Sequence, residues 1–276
     1  MNFFDTHSHY NDEGYECELE ELIKNTYNSG VTKFACIGCD LESSKKAIEI
    51  AKKYDFIYPT VAIGPFGVTE KNLTELTELK KLAKNNDVVA IGEIGLDYHW
   101  DKDNKDLQKE LFIKQIEIAN ELDLPIAIHT RDAYLDTIDI IKNIKKCNNT
   151  GIFHCCPLNV ELIKDGLKLG YYISFSGVIT FKNAKPELAV KEVPLERILI
   201  ETDSPYLSPE PYRGKRNDSR NVIEVAKKIA EIKNIPLEEV AEATYENAKK
   251  VYKIAWKWLI RKKSDNYAKK CNQNLI

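Results

Sequence analysis

Five histidines occur in the chain, and four of them stand where a short apolar run ends. His7 and His9 form a His-x-His after Phe3-Phe4, His129 follows Ile126-Ala127-Ile128, and His154 follows Gly151-Ile152-Phe153. Two carboxylates share that position: Glu93 after Val88-Val89-Ala90-Ile91-Gly92, and Asp203 after Ile198-Leu199-Ile200-Glu201-Thr202. Imidazoles and carboxylates are ligands for divalent metals, and a set supplied by successive strands can converge on one place. A carboxylate just beyond an apolar strand is costly without a cation, so the histidines point to metal for Glu93 and Asp203 rather than to isolated ion pairs. Strand side chains alternate with period two, which puts His7, His9 and Asp5 on one side and makes Asp5 a residue to orient a ligand histidine. Glu201 shares a side with Asp203 and is expected to shape the site. His99 follows Asp97-Tyr98 in a polar loop and is expected at the rim or against substrate rather than on metal.

Such residues need a scaffold that brings distant segments to one rim. Eight β-branched runs, near 2–6, 33–37, 57–63, 88–92, 126–128, 151–153, 171–175 and 197–201, alternate with amphipathic stretches. Leu107–Asn120 is one such helix, and Asp101–Asn104 before it supplies the turn and cap. Repeats of this kind without a Pro/Gly/Ser-rich linker indicate a single (β/α)₈ TIM barrel. A doubly wound sheet is the alternative, but no Gly-x-Gly-x-x-Gly follows the first strand. Barrel active sites lie at the C-terminal ends of the strands, where His7, His9, Glu93, His129, His154 and Asp203 all fall.

Composition limits the partners. A chain of 276 residues with 43% hydrophobic and 30% charged residues is that of a globular protein with a sizeable core. A net charge of −3 argues against a globally basic nucleic-acid binder, so any phosphate contact must come from a local patch. Met1–Asp5 has neither a basic nor an apolar leader region, and no apolar run is long enough to span a bilayer. Seven cysteines without paired spacing fit reduced thiols, and the expected location is cytoplasmic. Cys36-x-x-Cys39 is a lone motif and reads as structural.

Several motifs in order along the chain resemble the TatD family of metal-dependent deoxyribonucleases among the amidohydrolase-like barrels. They are Asp5-Thr6-His7-Ser8-His9, Gly92-Glu93-Ile94-Gly95-Leu96-Asp97-Tyr98, His129-Thr130-Arg131-Asp132-Ala133 and Phe153-His154-Cys155. Beyond these come Ser176–Ala184, Glu201–Leu207 and Pro211–Asn217. The resemblance covers residues 1–256, leaving 257–276 as a basic helix end and tail. It implies two divalent ions (Zn²⁺, Mn²⁺ or Mg²⁺): His7, His9 and Asp203 on one, His129 and His154 on the other, and Glu93 bridging them. It also implies that Asp203 and Glu93 are catalytic, with Asp203 orienting or deprotonating the nucleophile. Arg131, Arg213, Lys215 and Arg216 are the expected phosphate-binding residues.

The implied activity is 3′-to-5′ exonuclease cleavage of DNA, with RNA as an alternative substrate and no obligate protein partner. A small-molecule amidohydrolase or esterase with the same metals is a second reading, and a catalytically weak nucleic-acid-binding protein a third. Two departures from the family stand out. Ala62-Ile63-Gly64-Pro65-Phe66 has Gly64 where a histidine is usual, and Cys156-Pro157 follows His154-Cys155 in place of Phe-Ser. Neither removes a metal ligand, but the first removes a side chain expected to face substrate.

Overall fold

Each of the expected runs forms a strand. The structure, a computed structural model, describes residues 1–143 and 150–254, so the expected basic end at 257–276 lies outside the described residues. Strands β1 (Phe3–Ser8), β2 (Val31–Cys36), β3 (Ile57–Val61), β4 (Ala90–Asp97), β5 (Ile126–Arg131), β6 (Gly151–Phe153), β7 (Tyr172–Phe175) and β8 (Ile198–Ile200) are parallel and paired in sequence order. Between and after them run α1 (Leu19–Asn28), α2 (Leu41–Lys53), α3 (Glu70–Asn85), α4 (Lys105–Glu121), α5 (Tyr134–Asn143), α6 (Val160–Lys168), α7 (Glu187–Glu192), α8 (Val222–Lys233) and α9 (Leu237–Val251). This is a (β/α)₈ barrel.

β1 and β8 close the ring near the C-terminal mouth. Asp203 N–H donates to His7 O at 2.9 Å and His9 N–H to Ser204 O at 2.8 Å. Below them Thr6 Oγ1 donates to Ile200 O at 3.0 Å. Helix α9 packs against both strands, and Tyr252 just beyond it donates its hydroxyl to Thr6 O at 2.7 Å. Among the described residues, no helix is long and apolar enough to cross a membrane.

Helix α4 shows how local sequence positions the mouth. Its apolar face buries Leu111, Phe112, Ile116, Ile118 and Ala119, as the periodicity of 107–120 predicts. Two buried glutamines interrupt that face, and both serve the backbone. Gln115 accepts from Ile63 N–H at 2.8 Å and donates to Ile63 O at 2.8 Å, fixing the segment that leads into Gly64. Gln108 accepts from Asp97 N–H at 2.8 Å and donates to Asp97 O at 3.1 Å and Asp101 O at 2.9 Å. Removing either amide would leave buried backbone groups unpaired, each at about 1–3 kcal/mol.

Strand boundaries differ from the sequence reading where it matters most. The apolar run ends β4 at Gly92, yet the strand continues to Asp97, and β5 continues to Arg131. The two remain paired past the apolar residues, with Gly95 opposite His129 and Asp97 opposite Arg131. Glu93 and His129 therefore lie inside strands, as does His7, and only His9, His154 and Asp203 lie past strand ends. Hydropathy loses these strands because their mouth-facing positions carry polar side chains.

Candidate metal centre

The strands deliver all six predicted ligands to one place. β1 and β4 are not sheet neighbours, so the 3.4 Å from His7 Nε2 to Glu93 Oε2 spans the mouth of the barrel. The other carboxylate oxygen, Oε1, lies 2.8 Å from His129 Nδ1 and 3.1 Å from His154 Nε2. Asp203 Oδ1 lies 3.4 Å from His9 Nε2 and 3.6 Å from His7 Nε2. His7–His9–Asp203 and Glu93–His129–His154 are two of the groups able to hold a cation, and Glu93 offers one oxygen toward each.

Local backbone features aim these side chains. The pairing register shifts between Asp5 and Ser8 in β1 and between Ile91 and Ile94 in β4, flanking His7 and Glu93. Such bulges re-aim side chains and recur beside active sites. The glycines of Gly92-Glu93-Ile94-Gly95 let β4 approach β5: a Cβ on Gly92 would stand 2.5 Å from Ala127 Cβ, and one on Gly95 2.0 Å from His129 O. Asp203 and Cys155 adopt φ of 56° and 38°, the left-handed region that ordinary residues occupy sparingly and that gathers at functional sites.

The electrostatics fit a cation. Burial disfavours a charged Glu93, yet His154, His129 and His7 hold its carboxyl well below the usual range. Asp203 is likewise held down by His9 and His7 against its own desolvation. Against their burial, His9 is pushed well up by Cys39 and Asp203, and His154 by Glu93 and Glu201. Burial, helped by His154, pushes His7 the other way, toward the neutral ring that a metal needs. Both nitrogens of His7 and Oε2 of Glu201 are buried without a hydrogen-bond partner. Orphaned nitrogens facing ionised carboxylates are what a divalent cation would satisfy, so the donor set fits the metal the sequence implies.

Around the candidate ligands stand further polar residues. Asp97 Oδ2 lies 2.9 Å from His129 Nε2, while its Oδ1 accepts the backbone N–H groups of His99 and Trp100 at 2.9 Å each. Residue type alone does not single out Asp97, although period two from Glu93 places it on the same side of β4. Glu201 Oε1 lies 3.3 Å from His154 Nδ1 and accepts from Cys155 N–H at 2.6 Å, so it does shape the site. Asp5 braces the β1–β8 seam instead of orienting an imidazole: it accepts from Thr202 Oγ1 at 2.6 Å, Thr202 N–H at 2.9 Å and His7 N–H at 3.2 Å. Cys36 is buried and structural, but Cys39 lies at the ligands, its Sγ 3.8 Å from His9 Nδ1 and 3.8 Å from Glu93 Oε2. His99 is at the rim, beside Asp132 at 3.3 Å.

The cluster opens into a cleft of about 880 Å³ that includes Phe66, Trp100, Arg131, Tyr206, Asp12 and Asp40 in its lining. Of the expected phosphate contacts, only Arg131 lines it. Arg213 stacks over Phe181 at 3.8 Å and donates to Ser208 O at 2.8 Å, and Arg216 pairs with Glu18 and Gly14 O. Lys215 sits between them on the exposed stretch 211–216. At Gly64 the neighbouring space is taken by Phe66, whose ring meets His129 edge-on at 5.0 Å.

Barrel and cluster together define a class, the amidohydrolase-like barrels with a histidine–carboxylate centre at the strand ends. Comparison with known proteins narrows it. The profile of the TatD-related DNases matches residues 4–253. An uncharacterized metal-dependent hydrolase of Bacillus subtilis, YabD, is 45% identical over 91% of this chain and 99% of its own. YcfH of Escherichia coli K12, described in the same words, is 34% identical over 92% and 97%. The crystal structure of YjjV, a TatD homolog from E. coli K12, superposes with a TM-score of 0.82 at 25% identity, covering 90% of this chain and 97% of that one. The chain belongs to the TatD family and is a metal-dependent hydrolase.

Proposed function

We propose that this hydrolase is a phosphodiesterase with two divalent ions per chain, which removes nucleotides from the 3′ end of DNA. The observation that carries the reading is Glu93, whose two oxygens face two separate ligand groups inside an open cleft. His7, His9 and Asp203 would hold one ion, and His129 and His154 the other. Divalent cations at such a site supply Lewis acidity toward the phosphoryl oxygens and lower the pKa of water. Asp203, kept ionised by His9 and His7, accepts the proton of the attacking water. Asp97 holds the ring of His129 in place, and the Glu201 carboxylate stands 3.3 Å from Nδ1 of His154. Arg131, at the cleft wall, meets the phosphate.

A metal analysis followed by an assay on end-labelled single strands tests the proposal. The expected result is two ions per chain and stepwise loss of 3′ nucleotides, abolished by chelation. A metal-loaded protein that leaves every strand intact would overturn it. Metal-dependent cleavage of an amide or carboxylic ester by the same sample would favour the small-molecule amidohydrolase. That second reading has an observation behind it: Asp12 and Asp40 line the cleft, while Arg213 and Arg216 are engaged outside it.

A further inference from the structure

Trp100 is the anomaly of the cleft. It is 70% exposed, although its backbone N–H is held by Asp97 at 2.9 Å. The Asp97 carboxylate that holds His129 also accepts the N–H groups of His99 and Trp100, and Gln108 grips the chain on both sides at Asp97 and Asp101. The backbone that carries this open indole is thus fixed by the same carboxylate that lies against His129. Arg131 lies over the ring at 5.4 Å, and His99 meets it edge-on at 4.8 Å. Two more exposed aromatics, Phe66 at 45% and Tyr206 at 56%, line the same cleft. Exposed apolar surface gathered at the mouth of a site marks what the site binds. A flat aromatic ring beside a guanidinium suits one ligand class above others, a nucleobase with its phosphate.

We infer that Trp100, with Arg131 against it, is a stacking platform that seats one unpaired nucleobase of the substrate next to the metal centre. The inference rests on the nuclease reading and deepens it: the site would favour single-stranded ends because a paired base cannot lie on the indole. Arg131 takes the adjoining phosphate, so base and phosphate are read by neighbouring groups on β5 and the loop after β4.

The test compares the parent with Trp100→Ala and Trp100→Phe on a single-stranded oligonucleotide and on the same strand with abasic 3′-terminal nucleotides. Trp100→Ala should raise KM for the normal strand about tenfold, the scale of one lost base–aromatic stack, with kcat little changed. Trp100→Phe should recover most of the loss, and on the abasic strand all three proteins should behave alike. A KM that rises equally on both strands, or on neither, would overturn the platform. If the parent cleaves no strand, the nuclease reading fails separately, and the affinity of the metal-loaded protein for an end-labelled phosphorothioate single strand decides the platform. Weaker binding of that strand by Trp100→Ala, recovered by Trp100→Phe, supports it, and binding unchanged by Trp100→Ala, or absent in the parent, overturns it.

Discussion

The two ends of the barrel carry opposite kinds of polarity. At the C-terminal mouth, His7 and His154 are buried and stacked on each other, lie 3.4 and 3.1 Å from the Glu93 carboxylate, and keep ring nitrogens without a hydrogen-bond partner. At the N-terminal end a larger cavity, about 1190 Å³, is lined by Lys33, Lys52, Tyr58, Tyr245 and Lys249 among others. Its charges are exposed or paired: Lys33 donates to the Tyr58 hydroxyl at 2.7 Å, and Lys249 pairs with Glu246 at 2.7 Å. Among the described residues, every group able to hold a metal lies at the C-terminal end. The larger cavity is thus the chemically quieter one. What marks a site here is polar groups held together against their desolvation, not volume.

The largest effect should come from Asp203→Asn, which keeps the shape and removes the charge shared with His9 and His7. Hydrolysis is expected to fall roughly 10²- to 10⁴-fold while the metal-free protein still folds cooperatively. Activity within a few-fold of the parent would remove the base from Asp203.

Metal and proton compete for the same rings. His9 and His154 lie above the ordinary 6.5 in the folded protein, so their pairing stabilises the metal-free fold below pH 6.5, and that contribution is lost as pH rises through the raised values. Metal needs the neutral rings. The increase in melting temperature on adding Mn²⁺ or Zn²⁺ should therefore grow from pH 6.5 upward, and a constant increase would break the electrostatic account.

A smaller effect separates the cleft wall from the loop beyond it. Arg131→Ala should flatten the salt dependence of single-strand binding by about 0.7 in log–log slope. Changing Arg213 and Arg216 together to Ala should flatten it less, because both are committed to Phe181, Ser208 and Glu18. The reverse order would return the phosphate to the loop after β8. Gly64→His is expected to raise turnover on oligonucleotides modestly. Gly64 is not in the left-handed region, and the new Cβ would stand 3.3 Å from Phe66 Cδ2, so only that partly exposed ring must turn aside. A folded, metal-loaded variant no faster than the parent would count against the missing histidine as the limiting feature, or show that DNA is not the substrate. Lys52→Ala, at the other end of the barrel, should leave hydrolysis and metal content unchanged and shift stability by no more than about 0.5 kcal/mol. Lost activity there would undo the contrast between the ends.

Much of this was legible in the sequence. The alternation of apolar runs and amphipathic stretches was enough for a (β/α)₈ barrel, because strand and helix periods are local properties of the chain. The convergence of the six candidate ligands was legible because a barrel puts every strand end on one rim, so register along each strand already implies it. Tertiary structure alone decided which atoms meet. The division of Glu93 between two ligand groups depends on register shifts in β1 and β4 that no hydropathy pattern shows. Arg213 and Arg216 read as free cations until folding set Phe181, Ser208 and Glu18 beside them. Asp97, Cys39 and Trp100 acquire their places through contacts between segments far apart in the chain, which residue type and spacing do not encode.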